Sequence, residues 1–310
     1  MEHLWREKKT ITTPLYDFRH YLVTGGQEVP RLPYVVQQIL ACSQNAQANA
    51  KKLATIITTD AVISAQILKT VNSAYYGFPK QITSIKHAVV LIGFQEVSNL
   101  AIGLSLSSLL EGNNSEPFYR DFRAHALGTA NFALLLAKKF SYHDISTAYT
   151  GGLLHDFGML MLFSWQPKIY QQIISLSLTE KQSLTDSEKQ MIGFDHLEAG
   201  KLVGHLWHLP EQLLLCMQCH NSIKTTPDQE NILLALIDLA NLLAHQAGFP
   251  VTAGIPAPKL TRTTWLALQK QLPGLKKTML QAWIDDITPA ISKILTTAQK
   301  QVLSPNGKHF

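Results

Sequence analysis

Cysteine and charge are both scarce in this 310-residue sequence. Three cysteines cannot build the disulfide framework of a small secreted domain, which excludes that class of protein. Charged residues make up 16% of the chain and hydrophobic residues 46%, so the chain holds enough apolar surface to offset the entropy lost on folding. This balance excludes an intrinsically disordered protein and predicts a large folded core.

Long apolar runs are absent as well. No stretch reaches the ~18 uninterrupted apolar residues of a membrane-spanning helix. The 100–110 segment carries three serines, and His155 and Asp156 interrupt the 151–165 segment. The first nine residues lack the apolar core of an export signal. We therefore expect a cytoplasmic protein that makes no membrane contact.

Positive charge is concentrated at the C-terminal end of the chain. Residues 251–310 carry eight Lys and Arg residues against two Asp residues, whereas the preceding 250 residues carry 19 basic and 20 acidic residues. A basic segment of this kind can contact nucleic acid, lipid headgroups or an acidic partner. Its lysines are dispersed and few aromatic residues lie between them, so the sequence favours a solvated helix face over a nucleic-acid surface. These lysines are Lys259, Lys270, Lys276, Lys277, Lys293 and Lys300.

Apolar residues recur at helical spacing through nearly the whole chain, and strand alternation is absent over any useful length. The pattern predicts an all-α, bilobal, multi-helix bundle. The polar run 111–117 and the proline-containing segment 248–258 are its clearest breaks. They predict an N-terminal lobe of five or six helices over 14–112, a helical bundle over 113–248 and a basic helical extension over 249–310. A typical helical stripe, opened by Ser84 and ended by Gly93, consists of Ile85, Ala88, Val89 and Ile92.

Four histidines and one aspartate of the second lobe are expected on inward helix faces. They are His125, His155, Asp156, His196 and His220. Imidazole nitrogens and a carboxylate oxygen suit a divalent iron, manganese, zinc or nickel ion. A single histidine on an apolar face is more often a packed core residue. The adjacent His155 and Asp156, predicted to lie mid-helix, weaken that alternative because burial of an unpaired carboxylate is costly.

The residues around this set carry two further predictions. Gly151 and Gly152 each cost a helix roughly 1 kcal/mol relative to alanine, but they permit a second helix to approach closely. The remaining histidines of this region fall outside the apolar stripes, so we expect them on the surface or in loops. They are His143, His205, His208 and His245.

Several ordered motifs run from about Val29 to Gly248. They are Val29 to Pro33; Asp60 with Leu68, Lys69 and Asn72 to Tyr76; Ile82, Ser84, Ile85, Ala88, Leu91, Ile92 and Gly93; Gly151 to Gly158; and His196, Gly200, Trp207, Leu209, Pro210 and His220. In these motifs the sequence resembles the HDOD family, the HD-related output domain of bacterial signalling proteins. That family is a relative of the HD-type metal-dependent phosphohydrolases. One departure is Ala61, where the family usually has proline.

The resemblance implies that His125, His155 and Asp156 occupy the first three positions of an HD metal site. The last ligand of such a site, an aspartate on a downstream helix, falls at or near Asn241. A neutral amide is a weaker ligand than a carboxylate, which predicts an impaired site. Asp238 lies about 60° away around the same helix, so it can replace that ligand only if the helix is rotated.

Two more departures affect the implied chemistry. Active relatives use a histidine pair for a second metal where this chain has His220 and Asn221. Cyclic-dinucleotide-cleaving relatives carry a lysine where this chain has Met159. Together with Asn241, these differences predict a degenerate site that holds either an inert metal or none.

Two functional hypotheses follow from the resemblance. The first is a non-catalytic signal-transduction module that acts through contacts with a signalling protein and keeps a degenerate metal site. The alternative is a metal-dependent phosphohydrolase acting on a nucleotide or phosphodiester, with Asp238 or water supplying the missing ligand. The sequence identifies neither the signal, the partner nor the oligomeric state.

Overall fold

The structure is a computed structural model that describes residues 14–24, 31–43, 45, 48–72, 76–109, 116–220 and 228–302. Every regular element within these ranges is an α-helix, which confirms the all-α prediction. In the part of the chain that the structure describes, no helix combines the length and apolarity needed to cross a membrane.

Six helices lie within residues 14–112, the segment predicted to form an N-terminal lobe: α1 (Pro14–Thr24), α2 (Tyr34–Ser43), α3 (Ala50–Thr58), α4 (Ala61–Val71), α5 (Ile85–Ile92) and α6 (Phe94–Leu109). The bundle contains α7 (Pro117–Lys139), α8 (Ile145–Leu154), α9 (Phe157–Trp165), α10 (Pro167–Glu180), α11 (Leu184–Ile192), α12 (His196–Leu206), α13 (Glu211–Cys219) and α14 (Asp228–Gln246). Two helices follow, α15 (Arg262–Gln271) and α16 (Met279–Val302). Most of the predicted break at 111–117 and the motif residues Ser73 to Tyr75 lie outside the described residues, and the domain limits stay a prediction.

Side-chain caps explain where several of these helices begin. Asp60 accepts hydrogen bonds from the backbone N–H groups of Val62 and Ile63 at the start of α4. Ser84 accepts one from His87 N at the start of α5. Such caps satisfy N–H groups that the first turn of a helix leaves without partners. The helix start predicted at Ser84 is therefore confirmed.

A partly buried polar link joins α6 to α8. Glu96 of α6 accepts hydrogen bonds from the hydroxyl of Tyr76 at 2.9 Å and from the hydroxyl of Ser146 on α8 at 2.7 Å. Burial raises the pKa of Glu96, although these hydrogen bonds oppose the shift. The contact fixes α6 against α8, the helix that leads into the His155–Asp156 pair.

The C-terminal helices pack on the bundle through a hydrophobic cluster of their own. Leu268 of α15 and Trp283 and Ile291 of α16 are buried together with the second half of α7 and with α14. The Thr264 hydroxyl donates a buried hydrogen bond of 3.0 Å to Asp238 on α14. The predicted lysines Lys259, Lys270, Lys276, Lys277 and Lys293 are exposed, as expected for a solvated face, while the side chain of Lys300 lies outside the described residues.

Glycines allow the closest helix contacts in the bundle. A Cβ atom on Gly152 would lie 2.9 Å from the Ala130 Cα on α7, and one on Gly151 would lie 2.7 Å from the Cys216 sulfur on α13. These contacts confirm the predicted close approach. A Cβ atom on Gly158 of α9 would overlap the carbonyl oxygen of His196 at the start of α12. His196 can therefore occupy its position only because Gly158 has no side chain.

We expect Gly158→Ala to lower the free energy of unfolding by about 3 kcal/mol, because the new methyl group meets backbone rather than a movable side chain. Urea unfolding followed by circular dichroism measures the change. Gly274→Ala is the matched control, since a Cβ atom there would have no neighbour within 4 Å. A change within about 0.5 kcal/mol is expected for that control. Equal stability of the two variants would contradict this account of the α9–α12 contact.

Candidate metal centre

The five predicted site residues come together in the structure, and all of them are buried. His125 lies in the middle of α7, His196 is the first residue of α12, and His220 directly follows the last residue of α13. His155 and Asp156 do not lie mid-helix as predicted. They form the turn between α8, which ends at Leu154, and α9, which begins at Phe157. The turn frees both side chains from the helix geometry and directs them to the same point.

Each imidazole is anchored through its Nδ1 atom. Nδ1 of His125 lies 2.8 Å from the carbonyl oxygen of Phe249, and Nδ1 of His155 lies 2.8 Å from that of Gly152. Nδ1 of His220 lies 3.1 Å from the carbonyl oxygen of Cys216. Because a carbonyl oxygen only accepts hydrogen bonds, Nδ1 of each ring carries the proton. In the neutral ring, Nε2 is then left with a free lone pair, the arrangement seen in metal-ligating histidines.

His196 is anchored by a carboxylate instead of a carbonyl group. Its Nδ1 lies 2.7 Å from Glu188 Oε2, and its backbone N–H donates to the same oxygen at 2.9 Å. The Tyr170 hydroxyl donates to the other oxygen of Glu188 at 2.6 Å. Glu188 is fully buried, and sequence analysis did not identify it as a site residue. The sequence signal that could have identified Glu188 is its position between Leu184 and Ile192 on one helix face.

The Nε2 atoms converge on the carboxylate of Asp156, which divides them into two pairs. Oδ2 lies 3.1 Å from Nε2 of His155 and 3.3 Å from Nε2 of His125. Oδ1 lies 2.9 Å from Nε2 of His220 and 3.7 Å from Nε2 of His196. We call His125, His155 and Asp156 half-site 1, and Asp156, His196 and His220 half-site 2. The ligand atoms within each half-site are close enough together to surround one ion.

Charge within the cluster is unevenly distributed. Burial lowers the pKa of His155 to about 4, although Asp156 opposes the shift. Burial would also lower the pKa of His196, but the Glu188 carboxylate outweighs it and raises the pKa to about 9. Burial disfavours ionisation of Asp156, but the imidazoles, His155 foremost, hold the pKa of its carboxyl well below the usual range. At neutral pH the metal-free cluster thus contains an ionised Asp156, a His155 with an unprotonated Nε2 and a protonated His196.

This donor set fits divalent metal ions. Nε2 of His125 lies 3.3 Å from Nε2 of His155, and Nε2 of His196 lies 3.4 Å from Nε2 of His220. Where both nitrogens of such a pair are unprotonated, their lone pairs repel unless a cation lies between them. Asp156 Oδ1, moreover, receives no hydrogen bond of good geometry. Imidazole nitrogen and carboxylate oxygen are ligands for iron, manganese, zinc and nickel.

The structure separates the two candidates for the remaining ligand position. Asn241 of α14 is buried beside the cluster, and its side-chain oxygen has no hydrogen-bond partner. Asp238 is also buried, but its carboxylate accepts the hydrogen bond from Thr264 of α15. Asp238 therefore serves to dock the C-terminal helices, and the neutral Asn241 lines the same cavity as Asp156 and His196. Asn221, the other departure from active relatives, lies outside the described residues.

His245 was expected on the surface or in a loop, and that prediction is wrong. Its ring packs edge-on against the ring of His125, with centroids 5.0 Å apart, one helical turn beyond Asn241. Burial, followed by the nearby His125, lowers the pKa of His245 to about 3. The prediction failed because the packing of α14 on α7 brings the His245 ring to His125, and apolar spacing along the sequence does not reveal that packing. His143, His205 and His208 are exposed, as expected.

A cavity of about 400 Å³ opens onto one side of the cluster. Of the five predicted site residues, only Asp156 and His196 line it, so half-site 2 faces the cavity and half-site 1 lies behind it. The other lining residues are Met159, Lys181, Gln182, Ser183, Leu184, Thr185, Asn241, His245, Val251, Ile255, Pro256, Ala257, Pro258 and Lys259. Two of its walls therefore come from the α10–α11 turn and from the segment that follows α14.

Comparison with known proteins gives the relationships of the chain. A family model described as the HDOD domain matches residues 29–223. Among curated proteins, the chain is similar to an uncharacterized protein of Treponema pallidum (strain Nichols), with 24% identity over 216 residues covering 69% of this chain and 42% of that protein. It is also similar to the uncharacterized protein YuxH of Bacillus subtilis (strain 168), with 29% identity over 126 residues covering 41% of this chain and 30% of YuxH. The matches thus span less than half the length of these relatives.

Solved structures share the fold. An HDOD domain protein of unknown function from Geobacter sulfurreducens matches with a TM-score of 0.70 and 21% identity, covering 91% of this chain and 97% of its own. A Marinobacter aquaeolei VT8 protein, provisionally called a signal transduction protein, matches with a TM-score of 0.63 and 22% identity, covering 92% and 65%. A Shewanella amazonensis SB2B protein, provisionally called a phosphohydrolase, matches with a TM-score of 0.62 and 23% identity, covering 90% and 98%. At these identities the likeness establishes the all-α fold alone.

We expect Glu188→Gln to lower the free energy of unfolding by about 3 kcal/mol, because it leaves the buried His196 without its charge partner. Urea unfolding measures the loss. Glu180→Gln, at the exposed end of α10, makes the same chemical change outside the cluster and should stay within about 0.5 kcal/mol of the unmutated chain. A Glu188→Gln variant as stable as the unmutated chain would show that Glu188 does not hold His196 in place.

Proposed function

The chain belongs to the HDOD domain family, and we propose that it is a non-catalytic signalling module that holds divalent metal ions in its buried His–Asp cluster. In this role it would act through contacts with a signalling protein. The observation that carries the metal proposal is the convergence of four imidazole Nε2 atoms on one carboxylate. Four anchored imidazoles direct Nε2 at the two oxygens of one ionised carboxylate.

A packed core without metal explains the arrangement less well. A histidine that is only a core residue needs one hydrogen bond, and each ring here already makes that bond through Nδ1. The Nε2 atoms of His125 and His155 then gain nothing by facing each other. The positive charge of His196 is already paired with Glu188, so burial of the Asp156 carboxylate costs free energy without a cation of its own. A metal ion in each half-site would bind the Nε2 atoms and would balance the negative charge of Asp156, which belongs to both half-sites.

The residues next to Asp156 support a non-catalytic role. Asn241 offers a neutral amide at the position where the family resemblance implies an aspartate. Met159, which lines the cavity, offers no charge where cyclic-dinucleotide-cleaving relatives carry lysine. Metal ions held in the two half-sites would fix α7, the α8–α9 turn, α12 and α13 to one another. Such a centre would couple the helices of the bundle, as a module that transmits a state change requires.

One observation favours the second candidate, a metal-dependent phosphohydrolase. The cavity beside half-site 2 has Lys181 and Lys259 among its lining residues, and both are cationic side chains suited to a phosphate group. Divalent ions in the cluster would supply Lewis-acid polarisation of a phosphoryl oxygen. Asp156 and His196 would orient them from the floor of the cavity, and the two lysines would bind the anion.

The first prediction concerns metal stoichiometry. The chain, purified without a His-tag and stripped with a chelator, should take up about two Co²⁺ ions, one for each half-site. His125→Ala with His155→Ala should remove one ion, and His196→Ala with His220→Ala should remove the other. Elemental analysis after dialysis counts the ions, and the visible absorption of cobalt reports their coordination.

His205→Ala is the control for this experiment, because His205 is an exposed histidine on the same helix as His196. It should bind as much cobalt as the unmutated chain. An unmutated chain that binds no Co²⁺, Mn²⁺, Zn²⁺ or Fe²⁺ would contradict the metal proposal. In that case the cluster would be a packed polar core.

The second prediction concerns the neutral amide beside Asp156. Asn241→Asp should tighten Mn²⁺ binding by about tenfold, because a carboxylate replaces a weak ligand. Titration calorimetry measures the affinity. Asn131→Asp on α7 adds the same charge away from the cluster and should leave the affinity within about twofold.

Hydrolysis assays separate the two candidates. With Mn²⁺ present, the unmutated chain should not turn over model phosphodiesters or cyclic dinucleotides. Turnover that disappears in both His155→Ala and Asp156→Ala would replace the signalling proposal with the phosphohydrolase. Turnover seen in Asn241→Asp but not in the unmutated chain would support the view that the neutral amide at position 241 is what makes the site inactive.

A further inference from the structure

The segment that follows α14 touches the metal centre directly, although it lies beyond the residues matched by the family model. The carbonyl oxygen of Phe249 is the acceptor for Nδ1 of His125. Residues 251 and 255–259 continue from it along the wall of the cavity. We call residues 249–302, which comprise this segment with α15 and α16, the C-terminal arm.

Local sequence explains why the Phe249 carbonyl is available at this point. Gly248 adopts a positive φ of 89°, and Phe249 N donates to Ala244 O at 2.9 Å. This is the Schellman pattern, in which a left-handed glycine ends a helix and reverses the chain. Pro250 restricts the preceding Phe249 to extended backbone conformations. The carbonyl of Phe249 is therefore held away from α14 and directed at His125 of α7.

Side-chain packing keeps this carbonyl in place. The Phe249 ring lies over Gly128 of α7, where an added Cβ atom would be 3.3 Å from the Phe249 Cβ and 3.5 Å from the Ala244 Cβ. Val251 is buried, and an added Cβ atom on Gly254 would lie 3.1 Å from Leu178 of α10. The segment is thus fastened to α7, α14 and α10 within six residues.

The rest of the arm is docked at a distance from the cluster. Thr264 of α15 bonds to Asp238, and Trp283 of α16 packs edge-on against Phe140 at the end of α7, with ring centroids 6.3 Å apart. Both contacts are made with the helices that carry His125 and Asn241. Movement of α15 and α16 would therefore be transmitted to the segment that holds His125.

We propose that the C-terminal arm is a positioning part of the metal centre: the Phe249 carbonyl holds His125 in half-site 1, so docking of the arm sets the metal affinity of that half-site. The inference rests on the proposed metal binding. Half-site 2 has its own anchors, Glu188 and the Cys216 carbonyl, which belong to the bundle. Loss of the arm contact should weaken half-site 1 and leave half-site 2 unchanged.

The test compares Phe249→Ala, which removes the ring that packs on Gly128, with the conservative Phe249→Leu. Each is made in the full chain in two backgrounds: His196→Ala with His220→Ala, which leaves half-site 1, and His125→Ala with His155→Ala, which leaves half-site 2. Phe249→Ala should raise the Co²⁺ dissociation constant of half-site 1 by about 10- to 100-fold, the usual effect of losing a group that orients a ligand. The Co²⁺ dissociation constant of half-site 2 should change by less than about twofold. Phe249→Leu should keep most of the half-site 1 affinity that Phe249→Ala loses.

A second variant keeps the test valid if Phe249→Ala fails to fold. Thr264→Val removes the hydrogen bond that docks α15 and should weaken half-site 1 in the same direction. Leu266→Ala, at an exposed position of α15, is its control and should bind cobalt normally. Equal weakening of both half-sites, or no weakening of either, would overturn the positioning role.

A spectroscopic measurement on the metal-free chain distinguishes failure of this inference from failure of the proposed function. Long-range ¹H–¹⁵N spectra of histidine-labelled protein, with His125 assigned by His125→Gln, report which ring nitrogen carries the proton. The unmutated chain and Phe249→Leu should show the Nδ1–H form, and Phe249→Ala a mixture. If no cobalt binds to the unmutated chain, the metal proposal falls and these spectra alone decide whether the arm positions His125. An unchanged tautomer in Phe249→Ala would then overturn the inference.

Discussion

Burial of the Asp156 carboxylate among four imidazoles is the interaction on which the arrangement of the bundle depends. An ionised carboxylate removed from water is costly unless cations or donors surround it. Here burial opposes ionisation, and the imidazoles, led by His155, outweigh it. Each imidazole comes from a different helix end or helix face, so α7, the α8–α9 turn, α12 and α13 must all reach the same point. The cluster thus constrains helix packing as well as offering ligands.

Close packing of small residues makes that convergence possible. Gly152 lets α8 lie against the backbone of α7, and Gly158 lets α9 lie against the first turn of α12. The first contact brings His155 to His125, and the second brings His196 to Asp156. A methyl group at either glycine would separate ligands that must lie within a few ångströms of one another. The stability of the helix contacts and the geometry of the centre are therefore linked.

The C-terminal helices add a second level of organisation. Their lysines face solvent, whereas their apolar residues pack on α7 and α14, the helices that carry His125 and Asn241. Asp238, a candidate ligand by sequence, bonds to Thr264 of α15 and so belongs to this interface. The reassignment of Asp238 leaves a neutral amide beside Asp156. It also ties the C-terminal arm to the region of the His–Asp cluster.

Local patterns in the sequence determined the helices, several of their first residues and the five residues of the cluster. Apolar spacing and caps such as Asp60 and Ser84 act within one or two turns, so they can be interpreted without tertiary structure. Only the tertiary structure decided that His155 and Asp156 form a turn, that Glu188 and the Phe249 carbonyl anchor two of the ligands, and that His245 lies over His125. A backbone carbonyl has no side-chain signature, and the rotation of a helix such as α14 is set by the neighbours it packs against. For these reasons the identities of the five cluster residues were accessible from sequence, while their pairing and support were not.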